Sequence, residues 1–186
     1  GPVEYLENTG GPLDPQFVRR TESSNPLSGI ELAHGRLTAT DVERDGDLDL
    51  IAGRGQGTTF IENVGSPSNP SFTIPTRQPW LGGVGGAAAP GSGDLTGDKG
   101  DDIIIGSSPG AFGYWENTSS SSQRSFVSNV ESPVQADPGP LNSPAVGDLD
   151  GDQDADVVSG NLFGALRFLV NTDTTDSVVL HPAREN

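Results

Sequence analysis

A short acidic segment followed by an apolar run occurs three times in the chain, at a nearly constant interval. The three copies are DVERDGDLDLIAG at 41–53, DLTGDKGDDIIIG at 94–106 and DLDGDQDADVVSG at 148–160, so that successive copies begin 53 and 54 residues apart. A second signature with the same period centres on asparagine, at Asn8, Asn63, Asn117 and Asn171. A third feature, an apolar residue at Phe17, Phe72, Phe126 and Leu180, has the same period. Three features in one register indicate a structural repeat.

Each repeat has the pattern of four short strands separated by turns rich in Gly, Ser, Pro and Asn. In the first repeat the strands are predicted at about 31–40, 48–53, 58–63 and 72–75. A period near 54 residues with four strands is typical of a β-propeller blade. The sequence therefore predicts an all-β fold built from propeller-type blades of four antiparallel strands.

The repeat boundaries predict about three and a half blades. Residues 1–28 correspond to the second half of a blade (strands 3 and 4), and complete repeats are predicted at 29–82, 83–137 and 138–186. Propellers have about four to eight blades, and unpaired sheet edges are templates for further pairing. We therefore expect other copies of the chain, or the missing part of a longer propeller, to complete the array.

The acidic segments place oxygen-bearing residues at alternate positions of a tight loop, which is the arrangement that a hard cation such as calcium requires. We call residues 41–49, 94–102 and 148–156 the first, second and third loops. Position 7 varies between Asp and Gly, which suits a backbone carbonyl ligand. The predicted ligand residues are Asp41, Glu43, Asp45, Asp47 and Asp49 in the first loop, Asp94, Thr96, Asp98, Gly100 and Asp102 in the second, and Asp148, Asp150, Asp152, Asp154 and Asp156 in the third. Acidic turns that only keep the surface soluble would not need this fixed spacing.

The loops differ from an EF-hand, which requires a bidentate Glu at position 12 and a following helix. Position 12 is Ala52, Ile105 or Ser159, each within a predicted strand. Position 6 is glycine only in the first loop, and Lys99 and Gln153 replace it in the others. A positive φ at those two residues would be strained. We therefore rank the first loop as the best predicted site, the third next, and the second weakest because it has one carboxylate fewer.

Loops of the form DxDxDGxxDLIxG, followed by an ENxG strand on a repeat near 54, resemble the FG-GAP/VCBS family of propeller repeats, to which integrin α-subunit propellers and several secreted lectins belong. The resemblance covers nearly the whole chain. It implies blade-like antiparallel sheets, one calcium ion in each loop (about three ions in all), and a secreted or cell-surface location. The non-glycine residues at position 6 depart from the family pattern.

Composition excludes several functions. The formal net charge of −16 disfavours a nucleic-acid backbone or an anionic membrane as partner. Cysteine is absent, which excludes disulfides, thiolate zinc sites and a cysteine nucleophile. No stretch approaches the roughly 18 apolar residues of a membrane span. The serines show no nucleophile elbow, and most acids are placed in the loops, so no catalytic residue and no enzyme activity are predicted.

Two residues outside the loops are candidate sites. Trp80 has no aromatic counterpart in the other repeats, and it is the candidate for stacking on a sugar ring. Asn117 begins an N-x-S/T sequon and is the candidate for glycosylation. The predicted function is a non-catalytic calcium-binding module for adhesion or structural assembly, with glycans or a surface protein as possible partners. The alternatives are a lectin, a self-assembling ring or filament subunit, and an accessory region of a polysaccharide-degrading enzyme.

Overall fold

The computed structural model describes residues 2–32, 35–55, 57–77, 81, 85–108, 110–121, 123–129, 138–172, 178 and 180–182. These residues form an all-β structure with one short 3-10 helix at Glu22–Ser24. The strands are β1 (Tyr5–Asn8), β2 (Phe17–Arg20), β3 (Arg36–Thr40), β4 (Asp49–Arg54), β5 (Gly57–Ile61), β6 (Ala89–Gly93), β7 (Asp102–Gly106), β8 (Phe112–Asn117), β9 (Phe126–Asn129), β10 (Ser143–Gly147), β11 (Asp156–Gly160), β12 (Leu166–Asn171) and β13 (Leu180–Pro182). Within this part of the chain, no helix is long and apolar enough to cross a membrane.

The strands form four small antiparallel sheets, and within each sheet every strand pairs with its neighbour in sequence. The N-terminal sheet is β1-β2 and the first-repeat sheet is β3-β4-β5. The second-repeat sheet is β6-β7-β8-β9 and the third-repeat sheet is β10-β11-β12-β13. Each sheet lies inside one of the four segments defined from the sequence. The prediction of an all-β fold with antiparallel repeats is confirmed.

The fourth strand predicted in the first repeat is interrupted rather than regular. Two isolated antiparallel bridges, Asn63 with Phe72 and Phe60 with Thr76, join this segment to β5 and the residues after it. Between the two bridges the outer segment has one residue more than its partner, which is a β-bulge. Pro75 lies in the bulge and has no backbone N–H to donate. The regular ladder therefore stops at three strands in this sheet.

The sheets stack on one another through three apolar cores. The strand β7 shows the arrangement best, because its residues Ile103, Ile104 and Ile105 are all fully buried and alternate between two cores. Ile103 and Ile105 pack with the first-repeat sheet, and Ile104 packs with the third-repeat sheet. Burying one such side chain contributes roughly 1.5–3 kcal/mol. A strand that is covered on both faces has no polar position, which is why its sequence reads as a continuous apolar run.

Corresponding residues of each sheet take the same position in the successive cores. Phe60 and Ile51 of the first-repeat sheet pack against Trp115 of the second. Tyr114 of the second-repeat sheet packs in the same way against Leu169 of the third. The third core joins the N-terminal sheet to the first-repeat sheet. The residues of this third core are Val3, Tyr5, Leu27, Ile30, Leu32, Leu50, Ala52, Ile61 and Phe72.

The first strands of the three repeats lie next to one another, since β3 contacts β6 and β6 contacts β10. Glycine makes this close approach possible. A Cβ atom on Gly53 would overlap the carbonyl oxygen of Ala88, and a Cβ atom on Gly91 would lie 2.9 Å from the carbonyl oxygen of Pro144. The acidic loops that follow these first strands are brought close enough for side chains to reach from one loop to the next.

Candidate metal centre in the acidic loops

Each acidic loop connects the first and second strands of its sheet, so the three loops occupy equivalent places in the fold. The last aspartate of each loop is the first residue of the second strand. These residues are Asp49 in β4, Asp102 in β7 and Asp156 in β11, and all three are buried. The position-9 carboxylates are thus fixed by the strands, while the other acids lie on the turn.

The position-9 aspartate connects the two repeated signatures. One carboxylate oxygen accepts a hydrogen bond from the backbone N–H of the signature asparagine, at 2.7–2.9 Å in the three repeats. The other oxygen accepts from the backbone N–H of loop position 2, at 3.1–3.2 Å. This asparagine is the last residue of β8 and of β12, and in the first repeat it lies two residues after β5. An intramolecular hydrogen bond contributes roughly 0.5–1.5 kcal/mol to stability, and an unpaired buried donor costs about 1–3 kcal/mol. The spacing of about 54 residues therefore repeats a hydrogen-bonded unit.

The position-1 aspartate shapes the turn by accepting backbone N–H bonds from later loop residues. Asp94 accepts from Asp98 at 3.0 Å and from Lys99 at 2.9 Å, and Asp41 makes the equivalent bonds with positions 5 and 6 of the first loop. Asp148 accepts instead from positions 4 and 6 of the third loop, Gly151 at 2.7 Å and Gln153 at 3.3 Å. The turn requires positive φ at positions 4 and 6 of every loop. These residues are Arg44 (58°) and Gly46 (94°), Gly97 (76°) and Lys99 (71°), and Gly151 (88°) and Gln153 (81°). The sequence predicted the strain at Lys99 and Gln153, but the requirement at position 4 was missed.

In the third loop three carboxylates converge. Asp148, Asp150 and Asp156 each offer an oxygen, and these atoms all lie within 4.8 Å of one another. Two oxygens bound to one calcium ion at 2.3–2.6 Å can be at most about 5 Å apart, so this spacing fits a shared ion. Among the described residues no ion pair involves an acid of this loop. Among the described residues, the third loop, which the sequence analysis ranks second, is the one in which three carboxylates come this close together.

In the first loop an arginine from the second repeat engages the position-3 acid. Arg124 forms ion pairs with Glu43 and Glu62, and its guanidinium lies 4.8 Å from the centre of the Phe60 ring. Burial, followed by a hydrogen bond with Glu43, raises the pKa of Asp49. Glu43 is therefore held between the carboxyl of Asp49 and the cation of Arg124.

In the second loop an arginine from the first loop engages the position-5 acid. Arg44 donates from Nη2 to Oδ2 of Asp98 at 2.8 Å and also to the backbone carbonyl of Asn117. Desolvation opposes ionisation of Asp98, but the hydrogen bond from Arg44 lowers the pKa of Asp98 overall. The Thr96 hydroxyl at position 3 is buried and interacts with the same carboxyl of Asp98, which also lowers the pKa of Asp98.

The same loop contains a buried acid whose ionisation is disfavoured. Burial raises the pKa of Asp102 to about 6, although backbone N–H bonds from Asn117 and Leu95 counteract part of this shift. The neighbouring Tyr114 side chain is buried, and burial followed by the charge of Asp102 raises the pKa of its hydroxyl. The second loop has the smallest negative charge of the three loops, and the guanidinium of Arg44 from the first loop neutralises part of that charge.

The two predicted sites outside the loops have different outcomes. Asn117 is fully buried, and its amide Nδ2 donates to the carbonyls of Val42 at 3.3 Å and Asp101 at 3.1 Å. A glycan on this nitrogen would have to replace both bonds, so the burial argues against the predicted glycosylation. Trp80 lies outside the described residues. The structure has a cleft of about 480 Å³ in the first repeat. It is lined by Glu31, Leu32, Gly55, Gly57, Thr58, Thr59, Pro75 and Arg77.

The fold and the loops together define an all-β repeat protein with one acidic loop in each complete repeat. The family model of the FG-GAP-like repeat matches residues 94–159, from the first residue of the second loop to a point inside β11. The chain therefore contains FG-GAP-like repeat sequence, as the resemblance predicted. A search of curated proteins and a search of solved structures each found no significant match.

Proposed function

We propose that the chain is a non-catalytic calcium-binding repeat module of a secreted or cell-surface protein, serving adhesion or structural assembly. The observation that carries this proposal is the convergence of Asp148, Asp150 and Asp156 in the third loop. All donors are oxygens, which favours a hard cation, and magnesium rarely uses an all-protein cage of this kind. The FG-GAP-like match over the second and third loops supports the same class of protein.

The proposed architecture is a propeller-type array of about three and a half blades. Two features support it: the first strands of successive sheets are adjacent, and the sheets stack face to face through one core per pair. An ion in a loop would bind the folded state and not the unfolded chain. It would therefore stabilise the fold by RT ln(1 + [Ca²⁺]/Kd), which increases with the logarithm of the calcium concentration. Extracellular calcium modules bind with dissociation constants of about 10⁻⁴–10⁻³ M, so millimolar calcium is the relevant range.

Calorimetric titration with calcium, combined with thermal unfolding in calcium and in EDTA, tests this proposal. Asp150 is the acid to change, because it is exposed and its substitution leaves the buried Asp156 in place. Asp150→Asn is expected to weaken binding by at least about tenfold, since affinity follows the number of charged ligands. Asp14→Asn is the control, because Asp14 is an exposed acid outside the loops. Equal melting in calcium and in EDTA, or equal binding by both variants, would contradict the proposal.

A second candidate function is self-assembly, for which the exposed apolar residues of the outer sheets are the specific observation. Leu149 of the third loop is 51% exposed, whereas the residues at the same loop position, Val42 and Leu95, are buried between sheets. At the other end, Phe17 is 66% exposed, whereas Phe126 at the same repeat position packs on the neighbouring sheet. Inside the chain, the residue at the position of Leu149 packs against the following repeat, and the residue at the position of Phe17 packs against the preceding repeat. The exposed faces at Leu149 and Phe17 therefore match the two sides of one contact between repeats. We propose a second copy of the chain as the occupant, docked head to tail.

Sedimentation velocity over a range of protein concentrations tests this association. Leu149→Asp and Phe17→Asp are each expected to shift the chain towards the monomer, because a charge placed in an apolar contact is costly to desolvate. Leu13→Asp is the control, since Leu13 is fully exposed and lies outside the repeated strand positions. A chain that is monomeric at about 100 μM, or three variants that behave alike, would contradict self-assembly.

A further inference from the structure

Two departures from the repeat pattern face each other across neighbouring loops. Position 4 is glycine in the second and third loops but Arg44 in the first, where φ is 58°. A residue with a Cβ atom is strained in this conformation, which indicates that the Arg44 side chain makes a contact that offsets the strain. Position 7 is aspartate in the first and third loops but Gly100 in the second.

The structure shows why these two departures occur together. The Arg44 side chain crosses from the first loop to the second, and a Cβ atom on Gly100 would overlap its guanidinium. Glycine at this place therefore makes room for the arginine. The guanidinium donates to Asp98 at 2.8 Å and to the backbone carbonyl of Asn117, and the side chain is only 26% exposed.

We infer that Arg44 is the resident counter-ion of the second loop, and that this loop takes no calcium ion in the native chain. Asp98 is the position-5 ligand, and one of its oxygens is already bonded to the guanidinium. A divalent ion placed among the same acids would meet a positive charge within a few ångströms, where like charges repel strongly. The inference rests on the proposed calcium function, and it differs from the prediction of one ion in each loop.

The remaining donors of the second loop mark it as a cation site that Arg44 has taken over. Thr96 stands at the position-3 ligand place, and its buried hydroxyl interacts with the carboxyl of Asp98, so a second oxygen donor lies beside the position-5 acid. Asp94 and Asp102 keep the loop in the same turn as the other two loops. Removing the guanidinium should therefore expose a latent cation site rather than an unfolded segment.

Counting calcium ions per chain by native mass spectrometry, with calorimetry for the affinities, tests the inference. Arg44→Gly gives the first loop the glycine that the other two loops have at position 4, and we expect it to bind one ion more than the native chain. The double change Arg44→Gly with Asp98→Asn is expected to return to the native count. Arg19→Ala is the matched control. Arg19 forms an ion pair with Glu4 at 2.7 Å, and neither residue belongs to a loop, so this variant should bind the same number of calcium ions as the native chain.

A native count that falls on Asp98→Asn, or an equal count in Arg44→Gly, would overturn the inference. A second measurement uses the native chain alone: the guanidinium protons of Arg44 should remain hydrogen-bonded to Asp98 during a calcium titration, detected by NMR as slow exchange with water. Loss of this protection on calcium addition would equally overturn the inference. The proposed function fails separately, if Asp150→Asn leaves native calcium binding unaltered. An ion gained in Arg44→Gly would then still support the role of Arg44.

Discussion

The side-chain amide of Asn171 in β12 donates a hydrogen bond to the backbone carbonyl of Leu95 in the second loop, at 2.8 Å. Asn117 makes the equivalent bond to the carbonyl of Val42 in the first loop, at 3.3 Å. The signature asparagine of one repeat therefore holds the acidic loop of the repeat before it. Its backbone N–H at the same time contacts the position-9 aspartate of its own repeat. One residue thus joins two loops.

Asn171→Ala is expected to lower the free energy of unfolding by about 1–3 kcal/mol, because it leaves the buried carbonyl of Leu95 without its donor. Urea denaturation followed by fluorescence measures this change. Asn8→Ala is the control at the same signature position, because Asn8 is exposed. An Asn171→Ala variant as stable as Asn8→Ala would show that the bond between repeats contributes nothing.

Gly53→Ala is expected to destabilise the stacking of the first two repeats by about 1–3 kcal/mol, the usual range for overpacking. The added methyl group would overlap the carbonyl oxygen of Ala88 and press on Pro90. Gly147→Ala is the control on a strand, since a Cβ atom there meets nothing within 4 Å. Thermal unfolding of the two variants should separate them by several degrees, and equal melting temperatures would disprove the close approach.

Arg124→Gln is expected to cost about 1–2 kcal/mol, because it leaves Glu43 and Glu62 without their shared cation and removes the contact with the Phe60 ring. Cation–π contacts alone contribute roughly 0.5–1 kcal/mol at such sites. The cost should decrease in 1 M salt, where exposed charges are screened. Arg19→Gln breaks a more exposed pair and should cost under about 0.5 kcal/mol. A cost that is independent of salt would exclude the ion pairs as its source.

Calcium-free protein is expected to lose stability as the pH rises from about 4 to 6. The Asp102 carboxyl has a pKa of about 6 in the folded chain, against an ordinary value of 3.8 for aspartate. Between these values the folded state binds more protons than the unfolded state, so the free energy of unfolding falls as the pH rises. At about 1.4 kcal/mol per pKa unit, Asp102 alone contributes a loss of about 3 kcal/mol, and Asp49, whose pKa is also raised, adds a loss of the same sign.

Urea unfolding at several pH values in EDTA measures this dependence, with Asp102→Asn as the comparison. The variant carries no titrating group at that position and should give a flatter profile, even if it is less stable throughout. Parallel profiles for the native chain and the variant would mean that the buried carboxyl does not titrate in this window.

Much of the fold could be predicted because each repeat contains the same short sequence motifs, and these motifs specify loops and strands locally. The alternate carboxylates of 148–156 and the apolar residues that follow predicted a tight loop and a buried strand, and both are present. The fourth strand of the first repeat could not be predicted as a bulge, because the interruption at Pro75 depends on its pairing with Phe60 and Asn63. The ranking of the loops from the sequence used glycine at position 6 and the number of carboxylates. It could not include the contacts of Arg44 and Arg124 with the loop acids, because these partners are distant in the sequence.

The sequence by itself determined the period, the antiparallel all-β class and the oxygen-rich loops, because these follow from residue spacing and short-range backbone preferences. Only the tertiary structure decided which charges meet. Arg44 and Asp98 are 54 positions apart, and Arg124 and Glu43 are 81 apart, so no local rule could pair them. Their contacts exist because the sheets stack closely at glycine positions such as Gly53, which brings one loop within the reach of a side chain from the next.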